Sequence, residues 1–248
     1  MDGTSHQAFL DQLEPFAINA LGCAATDAVT TKLYATYTKR QREEVGKKFQ
    51  LVAYKCAADY EGVVNLTTKA AEEEAGLVYW VTGIIASCAV NRSNLNKRYD
   101  GEYIPILLNK QSDLEEAVKK GEFVLHRVNS DVRVLYDNNS LITLSDTHGE
   151  IFKDNQTVRV MDQIANDIAL IFNTKYLGNV PNDKAGRVAL WSDIVQHHKK
   201  LENIRAIQNF DERDVTVSEG ETKKAVVVTD KVIPTGTMAQ LYMTVVME

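Results

Sequence analysis

The chain has 248 residues, 44% of them hydrophobic, which is enough for one large or two modest domains with a buried core. Its 28 basic and 34 acidic residues give a net charge of -6 and a pI of about 5.5. No global positive field exists to attract nucleic acid or an anionic membrane, so neither is an expected partner.

Cysteine usage and the N-terminus indicate the compartment in which the chain is made. Cys23, Cys56 and Cys88 are far apart and have apolar neighbours, which favours buried thiols over a disulfide framework. The N-terminus has no positively charged segment followed by an apolar core, so no signal peptide is expected. Synthesis in the cytosol follows from both observations.

The first half of the sequence predicts helices alternating with strands. A short amphipathic helix over 5–14 is followed by a strand over 16–22, a helix from Asp27 to Gly46 and a second strand over 49–54. This order is typical of a crossover unit with two parallel strands. The apolar stripe of the 27–46 helix is expected at Val29, Leu33 and Tyr37.

Further elements follow in the same half. Residues 63–66 are a candidate strand, and Glu72-Glu73-Glu74 predicts the acidic start of a helix that runs to Asn91. Residues 75–91 carry no charge but fall short of the roughly 20 apolar residues that span a bilayer, so a buried core helix is expected. Ser112 to Gly121 reads as a helix with a capping box and a C-terminal glycine, and 122–136 reads as a hairpin.

The second half predicts two long antiparallel helices over 158–176 and 185–203, then extended runs over 225–229 and 240–247. The predicted fold is mixed α/β (α+β): a layered sheet with flanking helices and an extended C-terminal strand arm. We expect a core domain at 1–150. A C-terminal domain at 151–248 would hold the helical pair and the terminal arm.

No pattern of catalytic, cofactor-binding or metal-ligating residues is complete, so none of these sites is expected. The first strand-to-helix turn has one glycine where a dinucleotide fingerprint needs three. His197 and His198 are predicted to lie on the solvated last turns of a helix, where cations meet the negative end of the dipole. The pentapeptide 146–150 combines carboxylates with a histidine, but turn chemistry explains it and no nucleophile accompanies it.

A basic run surrounds the end of the 27–46 helix and alternates with Glu43 and Glu44, which is typical of a solvated helix. In a protein that stacks on itself, Arg40 and Arg42 could instead form charged contacts between subunits.

Several segments resemble phage tail sheath proteins from Gram-positive hosts and their prophages. In the second half they are Val158-Arg-Val-Met-Asp-Gln-Ile, Tyr176-Leu-Gly-Asn-Val-Pro-Asn, Ile207-Gln-Asn-Phe-Asp, Asp214-Val-Thr-Val with Gly220, and Leu241-Tyr-Met-Thr-Val. In the first half they include Phe49-Gln-Leu-Val, Ala58-Asp-Tyr-Glu-Gly-Val, Trp80-Val-Thr-Gly and Tyr99-Asp-Gly-Glu-Tyr.

The resemblance implies a structural subunit, not an enzyme, that assembles with other copies into a helical sheath around a tail tube. Contraction of such a sheath drives the tube into a cell envelope. The implied partners are sheath subunits, the tail tube and the baseplate; the implied location is the virion tail, made and assembled in the cytoplasm of a bacterial host. Family members usually carry an N-terminal arm and a further domain, so Met1 is expected to begin a truncated chain. A tail or baseplate adaptor of the same fold, or an α/β enzyme, is the alternative.

The last extended run is the predicted intersubunit arm, because both of its faces are largely apolar and such a strand needs a partner. The arm consists of Gln240, Leu241, Tyr242, Met243, Thr244, Val245, Val246 and Met247. Strand addition gains roughly 0.5–1.5 kcal/mol per hydrogen bond against about 1–2 kcal/mol of ordering per residue. Side-chain burial therefore decides whether the arm binds.

Overall fold

The structure is a computed structural model that describes residues 3–247. Met1, the expected start of a truncated chain, lies outside the described residues. The helices are α1 (Gly3–Leu13), α2 (Ala28–Arg40), α3 (Leu77–Ser87), α4 (Gln111–Lys119), α5 (Asn155–Ile171) and α6 (Lys184–Asn203). The strands are β1 (Ala20–Cys23), β2 (Gln50–Tyr54), β3 (Val63–Leu66), β4 (Lys69–Ala70), β5 (Pro105–Ile106), β6 (Glu122–Phe123), β7 (Leu125–Val128), β8 (Asp131–Val134), β9 (Val215–Glu219) and β10 (Val226–Asp230).

The first half is built around a parallel sheet of four strands in the order β1-β2-β3-β6. The predicted crossover unit is confirmed, since α2 joins the parallel strands β1 and β2. Every residue of β2 and β3 is buried because both faces of the sheet are covered. On one face Val52 and Val64 pack with α3, and on the other Leu51 and Val63 pack with α1 and α2.

Helix α2 buries only part of the stripe that the sequence predicts, with Tyr37 buried and Leu33 partly buried as expected. Val29 is 82% exposed, whereas Tyr34 and Tyr37 enter the core beside Leu51. The side chain of Asp27 accepts the backbone N–H of Thr30 and so fixes where the helix begins. From that start the buried stripe consists of threonines and tyrosines, which a search for aliphatic spacing overlooks.

The apolar segment forms the buried helix α3, as predicted, and among the described residues no helix is long and apolar enough to cross a membrane. The acidic run does not begin it. Glu72 accepts the backbone N–H of Ile104, and Glu74 accepts the hydroxyl of Tyr54, so these carboxylates fix a turn ahead of the helix.

The capping box predicted for α4 is also wrong. The helix begins at Gln111 with Lys110 in the cap position and no side-chain cap, and the Ser112 hydroxyl bonds Asp113 instead. Gly121, with φ +69°, follows the helix in the left-handed conformation that the sequence predicts. The hairpin of β7 and β8 is present as expected.

The predicted helical pair of the second half is confirmed. α5 continues through a π-helical turn at Phe172–Tyr176, and α6 returns antiparallel to it. Ile164 packs near Leu201, whereas Phe172 packs near Leu190. β10 matches the predicted run over 225–229, but its antiparallel partner β9 was not predicted as a strand.

Candidate assembly interface

The C-terminal segment projects from the body of the protein. Residues 235–247 form no helix or strand within the part of the chain that the structure describes. In the predicted arm, Leu241 is 85% exposed, Val246 79% and Met247 92%. Apolar side chains left this far in water have no partner in their own subunit, which is the property expected of a segment that binds elsewhere.

The root of the arm is fixed by Gln156, near the start of α5. Its side chain is buried; Nε2 donates to the Thr235 carbonyl at 2.9 Å, and Oε1 accepts the Thr237 N–H at 3.1 Å. The Thr235 N–H also donates to the Ala206 carbonyl at 2.9 Å. The chain is thus held as far as Thr237 and exposed from Met238 onward. Sequence reasoning missed Gln156, whose only local signal is its position beside the helix cap Asp154.

The hairpin of β9 and β10 is a second candidate surface. It is a sheet of two strands, so among the described residues each strand has one neighbour and one outer edge. Such an edge presents backbone groups that another strand can pair with. The indole N–H of Trp191 donates to the Val215 carbonyl at 3.0 Å and holds the hairpin against α6.

His198 also joins the hairpin to α6, which corrects the prediction of a solvated histidine pair. Its side chain is fully buried, with Nε2 2.8 Å from a carboxylate oxygen of Asp230 and Nδ1 3.0 Å from the Ile194 carbonyl. His197 lies 2.8 Å from Asp167 of α5. α5 and the hairpin cover one side of α6, and both histidines lie on that side, whereas Lys199 and Lys200 of the same turns are exposed as the sequence predicts. No cluster that could hold a metal ion occurs among the described residues.

Arg42 is likewise not solvated, contrary to the sequence prediction. Its side chain is 4% exposed and donates two hydrogen bonds to Asp162 of α5, at 2.6 and 2.9 Å. Burial alone would lower the pKa of Arg42, but the Asp162 carboxylate outweighs it and raises that pKa above its ordinary value. A residue engaged in this way is not available to a neighbouring subunit. Arg40 is half exposed and pairs with Glu14, and its role between subunits stays a prediction.

The remaining sequence candidates show no catalytic geometry. Residues 145–148 form a polar turn, in which the Ser145 hydroxyl accepts the His148 N–H at 3.1 Å. Cys23 and Cys56 are buried as predicted, while Cys88 is partly exposed. Burial raises the pKa of Cys56 to about 11, which keeps it as an unreactive thiol at neutral pH.

Two family descriptions together match almost the whole chain. The phage tail sheath protein central domain matches residues 1–140, and the phage tail sheath C-terminal domain matches residues 147–248. Their junction lies in the segment between the β7–β8 hairpin and α5.

Individual relatives agree with these matches. Phage-like element PBSX protein XkdK of Bacillus subtilis is 29% identical over 94% of this chain and 53% of its own length. The tail sheath protein of Clostridium phage phiCD119 is 32% identical over 70% of this chain and 50% of its own length. The chain therefore spans about half the length of the curated relatives it matches.

The solved structure of the sheath tail protein of Desulfitobacterium hafniense has the same fold. It superimposes with a TM-score of 0.86 at 28% identity and covers 98% of this chain and 59% of the other. The mixed α/β class predicted from the sequence is thereby confirmed.

Proposed function

The chain belongs to the phage tail sheath family, and from that premise we propose that it is a structural subunit of a contractile tail sheath that links to its neighbours through its C-terminal arm. The observation that carries this proposal is the arm itself. It holds apolar side chains in water along its whole length while its root is fixed by buried hydrogen bonds. A segment anchored at one end and unpartnered beyond it is built to bind a second molecule.

The edge of the β9–β10 hairpin is the surface we propose for the arm of a neighbouring copy. Each strand of the hairpin has five residues, so strand addition gains about five hydrogen bonds, or roughly 2.5–7.5 kcal/mol, which the ordering of the arm at about 1–2 kcal/mol per residue nearly cancels. The decisive contribution is then burial of the arm's side chains, at roughly 25 cal/mol per Å² of apolar surface. A link of this kind holds subunits together while their bodies rotate, which is what contraction requires.

Removing the arm tests the proposal. Deletion of residues 238–247 is expected to leave the thermal midpoint of unfolding unchanged, because the exposed arm contributes no packing, and to abolish tubes and rings in electron micrographs. Replacing Leu241, Met243 and Val245 by aspartate keeps the arm's length and should have the same effect. Thr244→Ser is the matched control. Tubes formed by the deletion variant would refute the arm as the link.

Membership of the same family supports further proposals about partners, location and catalysis. We propose that the sheath encloses a tail tube, joins a baseplate at one end, and is assembled in the cytoplasm of the bacterial host before it resides in the virion tail. We propose a structural role without catalysis. The division into domains at 1–150 and 151–248 also stays a proposal, which limited proteolysis between residues 141 and 154 would test.

A further inference from the structure

A groove on the second half of the protein borders the β9–β10 hairpin. It lies between the loop after α5 and the turn of the β9–β10 hairpin and has a volume of about 570 Å³. Leu177, Val180 and Leu190 contribute apolar walls, and Arg187, Lys223 and Lys224 contribute positive charge. Acidic residues are absent from its described lining. We call this surface the basic groove.

Among the described residues, no carboxylate forms an ion pair with a cation of the basic groove, although the exposed Glu221 belongs to the same hairpin turn. Arg187 donates to the backbone and side-chain oxygens of Asn182, at 3.1 and 3.0 Å, and both of these acceptors are uncharged. Asn182 in turn donates to the carbonyls of Lys223 and Ala225, which fixes the hairpin turn beside the loop. The lysine side chains of that turn are exposed. The groove therefore pairs an apolar floor with a positively charged rim.

The first half carries a surface of the opposite character, which we call the acidic patch. Its apolar centre is Tyr79, 58% exposed, and Ile104, 63% exposed. The carboxylates around this centre are exposed and belong to Glu72, Glu73, Asp100 and Glu102. Tyr79 stacks on Tyr103 with ring centroids 6.3 Å apart, so it is held in place before any partner arrives.

These carboxylates all lie close to the same pair of tyrosines, Tyr99 and Tyr103. Burial raises the pKa of Tyr99, and the charges of Glu72, Glu102 and Asp100 raise it further. A hydrogen bond to Glu73 raises the pKa of Tyr103, and the negative charge of Glu102 raises it further. The hydrogen-bond partners of Glu72, Glu73 and Asp100 are a backbone N–H, a tyrosine hydroxyl and an indole, all of them neutral. Their negative charge consequently remains available to a partner.

We propose that the basic groove of one copy receives the acidic patch of a second copy, with Tyr79 and Ile104 against its apolar walls. Charge complementarity selects this occupant, because the patch presents carboxylates around an apolar centre and the groove presents cations around an apolar floor. A volume of about 570 Å³ accommodates a few side chains. The two surfaces lie on different parts of the chain, so the contact is head-to-tail and repeats from copy to copy.

This inference rests on the proposed self-assembly and adds a body-to-body contact that is separate from the arm. Its test uses two double variants that reverse charge, E73K/E102K in the acidic patch and K223E/K224E in the basic groove. A fourfold variant then combines all four changes in one chain. Each double variant is expected to weaken self-association, measured by analytical ultracentrifugation, at least tenfold. The fourfold variant should return to within about threefold of wild type, because the opposite charges meet again. K119E/K120E, at the C-terminal end of α4, is the matched control.

The outcomes separate this contact from the arm. Double variants that fold, as judged by circular dichroism, and associate like wild type would overturn the groove contact. A fourfold variant as weak as either double variant would overturn it too. If the charge reversals have no effect while deletion of the arm abolishes association, the groove contact is wrong and the arm stands. A wild-type protein that never associates would overturn both.

Discussion

Arg42, in the turn that follows α2, donates two hydrogen bonds to Asp162 of α5, a residue 120 positions later in the chain. The same guanidinium group donates to the Phe49 carbonyl at 2.7 Å. Lys48 and Asn166 exchange two further bonds across this boundary, at 3.1 and 2.8 Å. The two predicted domains are therefore joined by a buried polar contact and not only by the chain between them.

Breaking the Arg42 contact is expected to destabilise the protein strongly. Arg42→Ala leaves the largely buried Asp162 carboxylate without its cation, which should lower the free energy of unfolding by about 3–5 kcal/mol. Urea unfolding followed by circular dichroism measures this loss. Arg40→Ala is the control, because Arg40 pairs with Glu14 on the surface and its removal should cost at most about 1 kcal/mol. Equal losses in the two variants would contradict the assignment.

The sequence predicted the elements whose signal is local. The buried helix α3, the helical pair and the crossover unit follow from apolar spacing within single segments. The environments of Arg42 and His198 could not be predicted in this way. Each lies among charged neighbours that are typical of a solvated helix, whereas its partner, Asp162 or Asp230, is distant in sequence.

In the candidate interface, too, features with a local sequence signal were predicted and features that depend on distant residues were not. The two largely apolar faces of residues 240–247 were visible in the sequence and predict a strand that needs a partner. The structure adds its root at Gln156 and the exposed edge of the hairpin, and both depend on tertiary contacts. β9 was missed although Val215, Thr216, Val217 and Ser218 alternate apolar and polar residues, which is the pattern of a half-buried strand.

Replacing Asp154 should stabilise the protein at neutral pH. Burial raises the pKa of the Asp154 carboxyl, and the nearby Asp137 adds to that effect. The folded state thus keeps the proton to a higher pH than the unfolded state, so stability falls as pH rises from about 3.9 through the folded-state pKa. Asp154→Asn has no charge to bury, and its side-chain oxygen can still accept the Gln156 N–H.

Thermal unfolding of Asp154→Asn and wild type should therefore coincide near pH 3, with the variant more stable at pH 7. Asp183→Asn, at the exposed cap of α6, is the matched control because it removes a carboxylate that is not buried. A difference at Asp154 that is the same at both pH values would contradict the burial argument.

Gly22 of β1 is required by the close approach of α3. A Cβ atom there would lie 2.7 Å from the hydroxyl oxygen of Thr82. Gly22→Ala is expected to lower the free energy of unfolding by about 1–3 kcal/mol, the usual cost of overpacking. Thr82→Ala removes the obstructing atoms, so the double variant should recover most of this loss. A double-mutant cycle with no coupling between the two positions would contradict the contact.

Gln156 is expected to control how the arm is presented. Gln156→Leu removes both bonds to the root; because Thr235 is half-buried and Thr237 exposed, water can replace them in part, and the expected cost is about 0.5–1.5 kcal/mol per bond. Because a looser root must be ordered when the arm binds, self-association should weaken while the arm keeps its full sequence. Hydrogen exchange should report faster exchange at residues 235–237. Gln163→Leu on the same helix removes an exposed amide and is the matched control. Unchanged exchange at the root, together with wild-type association, would mean that Gln156 does not anchor the arm.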